Sequence, residues 1–261
     1  MHERHTNRLK YFEEQVYTTR KYVIPYIEKF KPISKVTSLL EIGCGEGGNL
    51  KPFMDLGCKI TGIDLSPGKV ELAHHFFEGH RNKKNLTLIH DDIYNRDDLG
   101  KFDVIILRDV IEHIPDQEKF MGYMRNFLHA GSVIYFGFPP WQNPFGGHQQ
   151  MCRSRFLSKL PYFHLLPGFL YKAIMRAFGE KPGTVKGLME VKSTGISIER
   201  FEKIMKMNAY IIFDKTLFLI NPNYEVKFSL KPRRQNRIVA SIPWFRNFFS
   251  TAAYYLVSLK S

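Results

Sequence analysis

The 261-residue chain reads as an α/β protein, a mostly parallel sheet with helices on both faces. Three observations predict it. Short apolar runs alternate with segments of helical spacing at the pace of βαβ units. The first run passes directly into a turn carrying Gly43, Gly45 and Gly48, with Glu41 just before it. The second closes on Asp64, at the carboxyl edge where open α/β sheets bind ligands.

The elements follow in order. Tyr11 to Phe30 places apolar and aromatic residues at helical intervals, interrupted at Pro25, which predicts one or two helices lying over a cleft. Strand one is Ser38 to Ile42, and a helix follows the glycine turn from about Gly48 to Leu56. Strand two, Lys59 to Asp64, leads to Ser66-Pro67, a cap and first-turn proline that open a helix running to about His80. Strand three is Leu86 to His90, before Asp91-Asp92. Strand four is Phe102 to Leu107, then a polar loop and a helix from about Gln117 to Leu128. Strand five, Ser132 to Gly137, ends at Pro139-Pro140.

Regularity stops there. Short helical pieces are expected near Arg153–Leu160 and Phe169–Phe178, with Gly168, Gly179, Pro182, Gly183 and Gly187 marking hinges or irregular loops. A helix begins again at Ser197 and runs to Asn208, with Glu199 and Glu202 in its first turns. Tyr210–Ile220 and Tyr224–Leu230 read as two strands joined by Asn221-Pro222-Asn223. So short a link requires them to be antiparallel. The expected organisation is N-terminal helices over 1–35, a cofactor-binding core over 36–140 and a substrate-binding insertion or lid over 141–196. The rest of the core with its terminal hairpin takes 197–230, and a basic, aromatic tail takes 231–261.

Composition narrows the class. No run of 18 or more uncharged apolar residues reads as a membrane span. The opening His2-Glu3-Arg4-His5 lacks a signal-like apolar stretch. Three cysteines give neither a disulfide framework nor paired ligand spacing, so a cytoplasmic location is expected. Charge is uneven. Residues 1–150 hold 19 basic and 19 acidic side chains, whereas 151–261 hold 19 and 6. That surplus suits an anionic partner or a solvated surface. Nucleic acid is not expected, since no recognised module accompanies the charge.

The glycine turn has the chemistry of a cofactor cradle, because glycine alone reaches left-handed backbone without penalty and lets a ligand approach the main chain. Gly43, Gly45 and Gly48 satisfy G-x-G-x-x-G, with Asp64 about twenty residues on, so spacing alone also admits a nicotinamide cofactor. Other features weigh against it. Glu41 would repel a pyrophosphate and favour a cationic ligand. Asp92 is placed to accept from an adenine amine, and Arg108, Asp109, Glu112 and His113 crowd one sheet edge.

Leu39–Gly47 (LLEIGCGEG), Gly62–Pro67 (GIDLSP), Asp91–Ile93 (DDI) and Phe102–Pro115 (FDVIILRDVIEHIP) resemble the successive motifs of class I S-adenosylmethionine-dependent methyltransferases. The likeness covers about residues 36–140 and the terminal hairpin. It implies a Rossmann-like sheet of seven strands, the last antiparallel and inserted between strands five and six. It also implies that Gly43, Gly45 and their neighbours cradle the methionine part and Asp64 the ribose hydroxyls. Asp92 would hold the adenine amine, with Ile93 against the ring and Arg108 and Asp109 lining the cleft through their backbone. With Glu41, Cys44 and Leu65 these complete the expected cofactor set. Cys44 needs no more than its small size to explain it.

Methyl transfer from a sulfonium asks the protein mainly for orientation, and a hydroxyl acceptor also needs to lose a proton. His148, in the loop WQNPFGGHQQ past strand five, is the first candidate base, and His113 the second. Each also has a structural reading, as a loop residue or a helix-start residue. No metal is expected from the histidine spacing. The aromatic and basic insertion from about Trp141 to Gly195 suits an acceptor with an apolar or planar part and a negative group, or simply forms a lid's own small core. The tail, with Lys231, Arg233, Arg234 and Arg237 ahead of Ile242, Trp244, Phe245, Phe248 and Phe249, reads as an inner-face membrane contact, a homodimer contact or a closing helix. The expected function is methyl transfer from S-adenosyl-L-methionine to a small, amphiphilic or lipid-linked acceptor, with oxygen favoured over nitrogen. An NAD(P)-dependent oxidoreductase and a noncatalytic nucleoside-binding protein are the alternatives.

Overall fold

A computed structural model describes residues 7–260; the charged opening, residues 1–6, lies outside them. The chain begins with α1 (Arg8–Thr18), continued through a wide turn at Thr19–Val23 into α2 (Ile24–Ile27). There follow β1 (Ser38–Ile42), α3 (Leu50–Asp55), β2 (Lys59–Asp64), α4 (Pro67–Phe76), β3 (Leu86–His90), β4 (Phe102–Arg108), α5 (Gln117–Tyr123) and β5 (Leu128–Phe138). The second half holds α6 (Gly168–Ala177), α7 (Pro182–Thr194), α8 (Ile198–Met207), β6 (Tyr210–Ile220), α9 (Asn223–Phe228), β7 (Arg233–Arg234), α10 (Arg237–Ser241), α11 (Phe245–Phe248) and β8 (Ala252–Leu259).

All eight strands join one sheet in the order β3-β2-β1-β4-β5-β8-β6-β7. β1 to β5 pair in parallel, and β8 runs against both β5 and β6. The expected fold class stands, with an antiparallel strand between the fifth and sixth. The strand beyond the expected seven is β7, a two-residue edge pairing of Arg233 and Arg234 with β6. Register aligns the carboxyl ends. Glu41 lies opposite Gly62 and Ile106, and Asp64 opposite His90, which brings the turns after β1, β2, β3 and β4 to one edge.

Strand β4 shows why the sheet is central. Val104 and Ile106 enter one core under α1 to α3, while Ile105 and Leu107 enter another under α5 and α8, all fully buried. A strand buried on both faces reads as a continuous apolar run, and each such side chain stabilises the fold by roughly 1.5–3 kcal/mol.

Two expectations change. The hairpin does not form, because Tyr224–Leu230 is not a strand: α9 occupies Asn223–Phe228, started where Asn221 Oδ1 accepts the Asn223 amide and ended by left-handed Ser229. Apolar residues at 224, 226 and 228 imitate strand alternation, but Glu225 on this helix binds Lys21, Tyr17 and Tyr22 of the N-terminal helices. The antiparallel strand is instead β8, in the stretch read as a tail. Its residues Ala252 to Val257 are buried without interruption. Trp244, Phe245 and Phe249, just ahead of it, remain exposed.

In the insertion, Arg153–Leu160 forms only a single tight turn. Pro182, Gly183 and Gly187 lie inside α7 rather than in a hinge. Proline suits a first helical turn, and Val185 and Leu188 fasten the helix to a small core with Cys152, Leu157, Phe163, Tyr171 and Met175.

Candidate active site at the carboxyl edge of the sheet

The glycine turn is pinned from below. The amides of Gly43 and Cys44 donate to the Ile63 carbonyl at 2.8 and 3.1 Å. Gly43, Gly45 and Gly47 have positive φ. A Cβ on Gly43 would stand 2.6 Å from a methyl of Val110, and one on Gly47 2.6 Å from the Phe77 ring. Gly47 was missed in the motif reading. Gly48 has ordinary backbone and is needed for another reason: a Cβ there would meet the Phe12 carbonyl and Gln15 of α1 at 2.7 Å.

Asp64 ends β2 with its carboxylate directed back to this turn. Oδ2 accepts from the Gly45 amide and Oδ1 from the Ser66 amide, each at 2.8 Å. A carboxylate offers about four acceptor positions, so both oxygens keep capacity for a ligand. Asp92 accepts from the Tyr94 amide at 3.0 Å and starts the turn holding Ile93.

These groups line a cavity of ≈650 Å³ with Leu65, Ser66, Lys69, Tyr94, Asp109, His113 and Phe120. Among its lining residues are five aspartates, Asp64, Asp91, Asp92, Asp109 and Asp116, and two lysines, Lys69 and Lys119. Lys69, Tyr94, Asp116, Lys119 and Phe120 were not among the expected site residues. Lys69 and Tyr94 carried only a positional signal, five and four residues past the ends of β2 and β3, and Asp116, Lys119 and Phe120, eight to twelve residues past β4, carried none. A second cavity of ≈430 Å³ between α6 and α7 shares none of these side chains.

Of the expected cofactor residues Gly45 does not line this cavity, and three more stand elsewhere. Glu41 is fully buried beneath the turn, where Oε1 accepts from Asn49 Nδ2 at 2.7 Å, and burial pushes its carboxyl up to about 8. Arg108 points back to the same Asn49, at 2.8 Å, and to Thr19. Together they form a polar network that supports the turn from inside the protein. Cys44 faces the core, with Sγ 3.0 Å from where a Cβ on Gly62 would lie, and burial raises its thiol well above the usual range. Such a thiol is not a nucleophile.

His113 and His148 meet. Their ring centres are 5.1 Å apart, although 34 residues lie between them. His113 is on the cavity wall. His148 adopts left-handed backbone in the loop after β5, where the glycines before it allow close contact: a Cβ on Gly146 would strike the Trp141 carbonyl, and one on Gly147 the His164 ring. Burial lowers the proton affinity of both rings, and His148 lowers that of His113 further. Both imidazoles are therefore uncharged near neutral pH. Glu112, beside them, joins His113 and His148 in a group whose donor atoms all lie within 4.8 Å. Spacing along the chain gave no hint of this group.

The glycine cradle, the aspartates and the cavity size suit a nucleoside cofactor, since ligand pockets run to about 300–1,000 Å³. A family profile described as a methyltransferase domain matches residues 13–160. A ubiquinone biosynthesis O-methyltransferase of Pelagibacter ubique (strain HTCC1062) is 30% identical over 105 residues, 40% of this chain and 42% of that protein. The chain thus spans less than half the length of such curated relatives. Among solved structures, an S-adenosylmethionine-dependent methyltransferase from Clostridium acetobutylicum ATCC 824 aligns over 94% of this chain and 92% of its own, with a TM-score of 0.57 and 16% identity. A geranyl diphosphate C-methyltransferase from Streptomyces coelicolor A3(2), solved with Mg²⁺, geranyl diphosphate and S-adenosyl-L-homocysteine, aligns over 90% of this chain and 78% of its own, with a TM-score of 0.55 and 12% identity. At such identities the likeness is one of fold.

Proposed function

The chain belongs to the methyltransferase domain family, and from that premise we propose that it transfers a methyl group from S-adenosyl-L-methionine to a hydroxyl of a small, amphiphilic acceptor. One observation carries the choice of cofactor: five aspartates and two lysines are among the residues that line the cavity. Such a wall favours a ligand bearing positive charge and opposes the pyrophosphate of a dinucleotide. The relatives named as O-methyltransferases support oxygen as the acceptor atom.

When bound, S-adenosyl-L-methionine supplies an activated methyl on a cationic sulfur. The residues of the chain do the rest. The Gly43–Gly45 main chain makes room for the amino-acid part, and Asp64 holds the ribose through the acceptor capacity left after its two backbone bonds. Ile93 and Leu65 flank the base, and Asp92 meets its amine. Orientation of this kind accounts for roughly 7–11 kcal/mol at the extreme. A hydroxyl acceptor has to shed its proton, and the groups placed to manage that are His113 and His148 at the cavity's rim. Residues 141–195, with their own small core, form the acceptor side.

Further support for an amphiphilic acceptor comes from outside the cleft. Ile238, Ile242, Trp244, Phe245 and Phe249 are exposed beside Arg233, Arg234 and Arg237. Among the described residues no helix is long and apolar enough to cross a membrane. An apolar surface with a basic margin fits peripheral binding to anionic lipid. Sedimentation with phosphatidylserine vesicles tests this, and protein that stays in the supernatant while forming dimers refutes it.

Calorimetry with S-adenosyl-L-homocysteine and with NAD tests the central reading. Binding of the first alone is expected, and binding of NAD alone overturns it. Labelled methyl donor added to cell extract then shows which acceptor class takes the label.

A further inference from the structure

Glu112 lies in the turn between β4 and α5, 3% exposed, and neither of its carboxylate oxygens has a hydrogen-bond partner. Its main chain is well held, since its carbonyl accepts the Thr194 hydroxyl at 2.6 Å. Among the described residues its one ion-pair candidate is His113, with Nε2 4.0 Å from Oε1, and that ring is uncharged near neutral pH. A buried carboxylate is costly unless a cation or hydrogen-bond donors compensate it. Two imidazoles stand on its open side. The His148 ring is tilted 64° to that of His113, and one nitrogen of each ring lies within 4.8 Å of the other and of a Glu112 carboxylate oxygen.

We propose that Glu112, His113 and His148 bind a divalent transition-metal cation at the mouth of the cleft, leaving coordination positions free for the acceptor's hydroxyl. Two imidazoles and one carboxylate suit zinc, manganese, iron or cobalt better than magnesium or calcium, which take oxygen ligands. Bond lengths near 2.1 Å set donor atoms roughly 3–3.5 Å apart, so from the 4.8 Å within which the donors now lie the widest pair closes by up to roughly 1.3–1.8 Å. His113, whose side chain is 40% exposed, has room to make that movement. Placed there, the cation takes over the task given above to the two imidazoles, now its ligands: it makes the hydroxyl a stronger acid, and the proton leaves to water. That consequence rests on the O-methyltransferase reading; the site itself does not.

The full chain, stripped with chelator, is titrated with Co²⁺ while visible absorption and heat are followed. We expect one saturable equivalent with ligand-field bands. His148→Ala, His113→Ala and Glu112→Gln should each weaken Co²⁺ binding at least tenfold. His75→Ala, at an exposed site, should leave it unchanged. Binding of S-adenosyl-L-homocysteine by each variant confirms a folded cleft. Wild-type protein that binds the nucleoside but no stoichiometric Co²⁺ overturns the cation site alone, as do variants that bind Co²⁺ like wild type. Co²⁺ binding that depends on the three residues, without nucleoside binding, upholds the site and removes the methyltransferase reading.

Discussion

Asp64 accepts the main-chain N–H of Gly45 at 2.8 Å, and so ties the end of β2 to the turn that follows β1. One carboxylate therefore shapes the cradle and remains available to the sugar. Replacing Asp64 by Ala should lower affinity for S-adenosyl-L-homocysteine by roughly ten- to a hundredfold, the range of a charged hydrogen bond. Asp64→Asn, which keeps one acceptor, should fall between. Calorimetry decides, and unchanged affinity in Asp64→Ala would place the ribose elsewhere.

Gly48 tests how α1 is seated. A Cβ there would lie 2.7 Å from the Phe12 carbonyl, which is backbone and yields little. Gly48→Ala should destabilise the protein by roughly 1–3 kcal/mol. Gly68→Ala, in the first turn of α4 with open space around it, should be neutral or slightly stabilising. Urea denaturation of the two variants measures the contrast.

Asp103 governs behaviour in acid. Burial would raise its carboxyl, but the Ser38 amide and hydroxyl and the Lys31 ammonium outweigh that and hold it at about 2. A lowered value means stability that is present above the unfolded value near 4 and is lost as pH falls through about 2. Screening at this partly exposed site reduces the effect to roughly 1 kcal/mol. Asp103→Asn should remove that much of the decline between those limits, read from denaturation midpoints.

Glu41 has the opposite sign. Burial raises its carboxyl to about 8, against the opposing influence of Asn49 and Arg108. The native state thus keeps a proton that the unfolded chain gives up, and stability falls as pH rises from about 4.5 to about 8. Glu41→Gln should flatten that slope, with a gain of roughly 2–4 kcal/mol near pH 8. A slope identical to wild type would show the carboxylate ionised in its network with Arg108.

Much of this was legible because local chemistry and tertiary role coincide. The glycine turn, Asp64 and the apolar runs of β1 to β5 each declare themselves within a few residues. What escaped was decided at a distance. Residues 224–230 alternate like a strand, yet Glu225 is drawn to Lys21 and the segment coils. The run Ala252 to Val257 is buried without a break, but apolarity alone does not separate a central strand from an interface. Glu41 and Arg108 belong to the right motifs, and both turn their side chains to Asn49, which lies between them beneath the turn. The meeting of His113 with His148 depends on a loop whose path is set by Gly146 and Gly147 against Trp141 and His164.

Strand β8 has a bearing on biosynthesis. It separates β5 from β6 and pairs with both, yet it comes later in the chain than either. While the ribosome is still producing the segment before Ala252, β5 and β6 each present an unsatisfied ladder, the kind of surface on which nascent chains mispair. The sheet closes only when residues 252–259 have left the exit tunnel. A ribosome stalled short of that point would hold a half-sheet in need of chaperone cover.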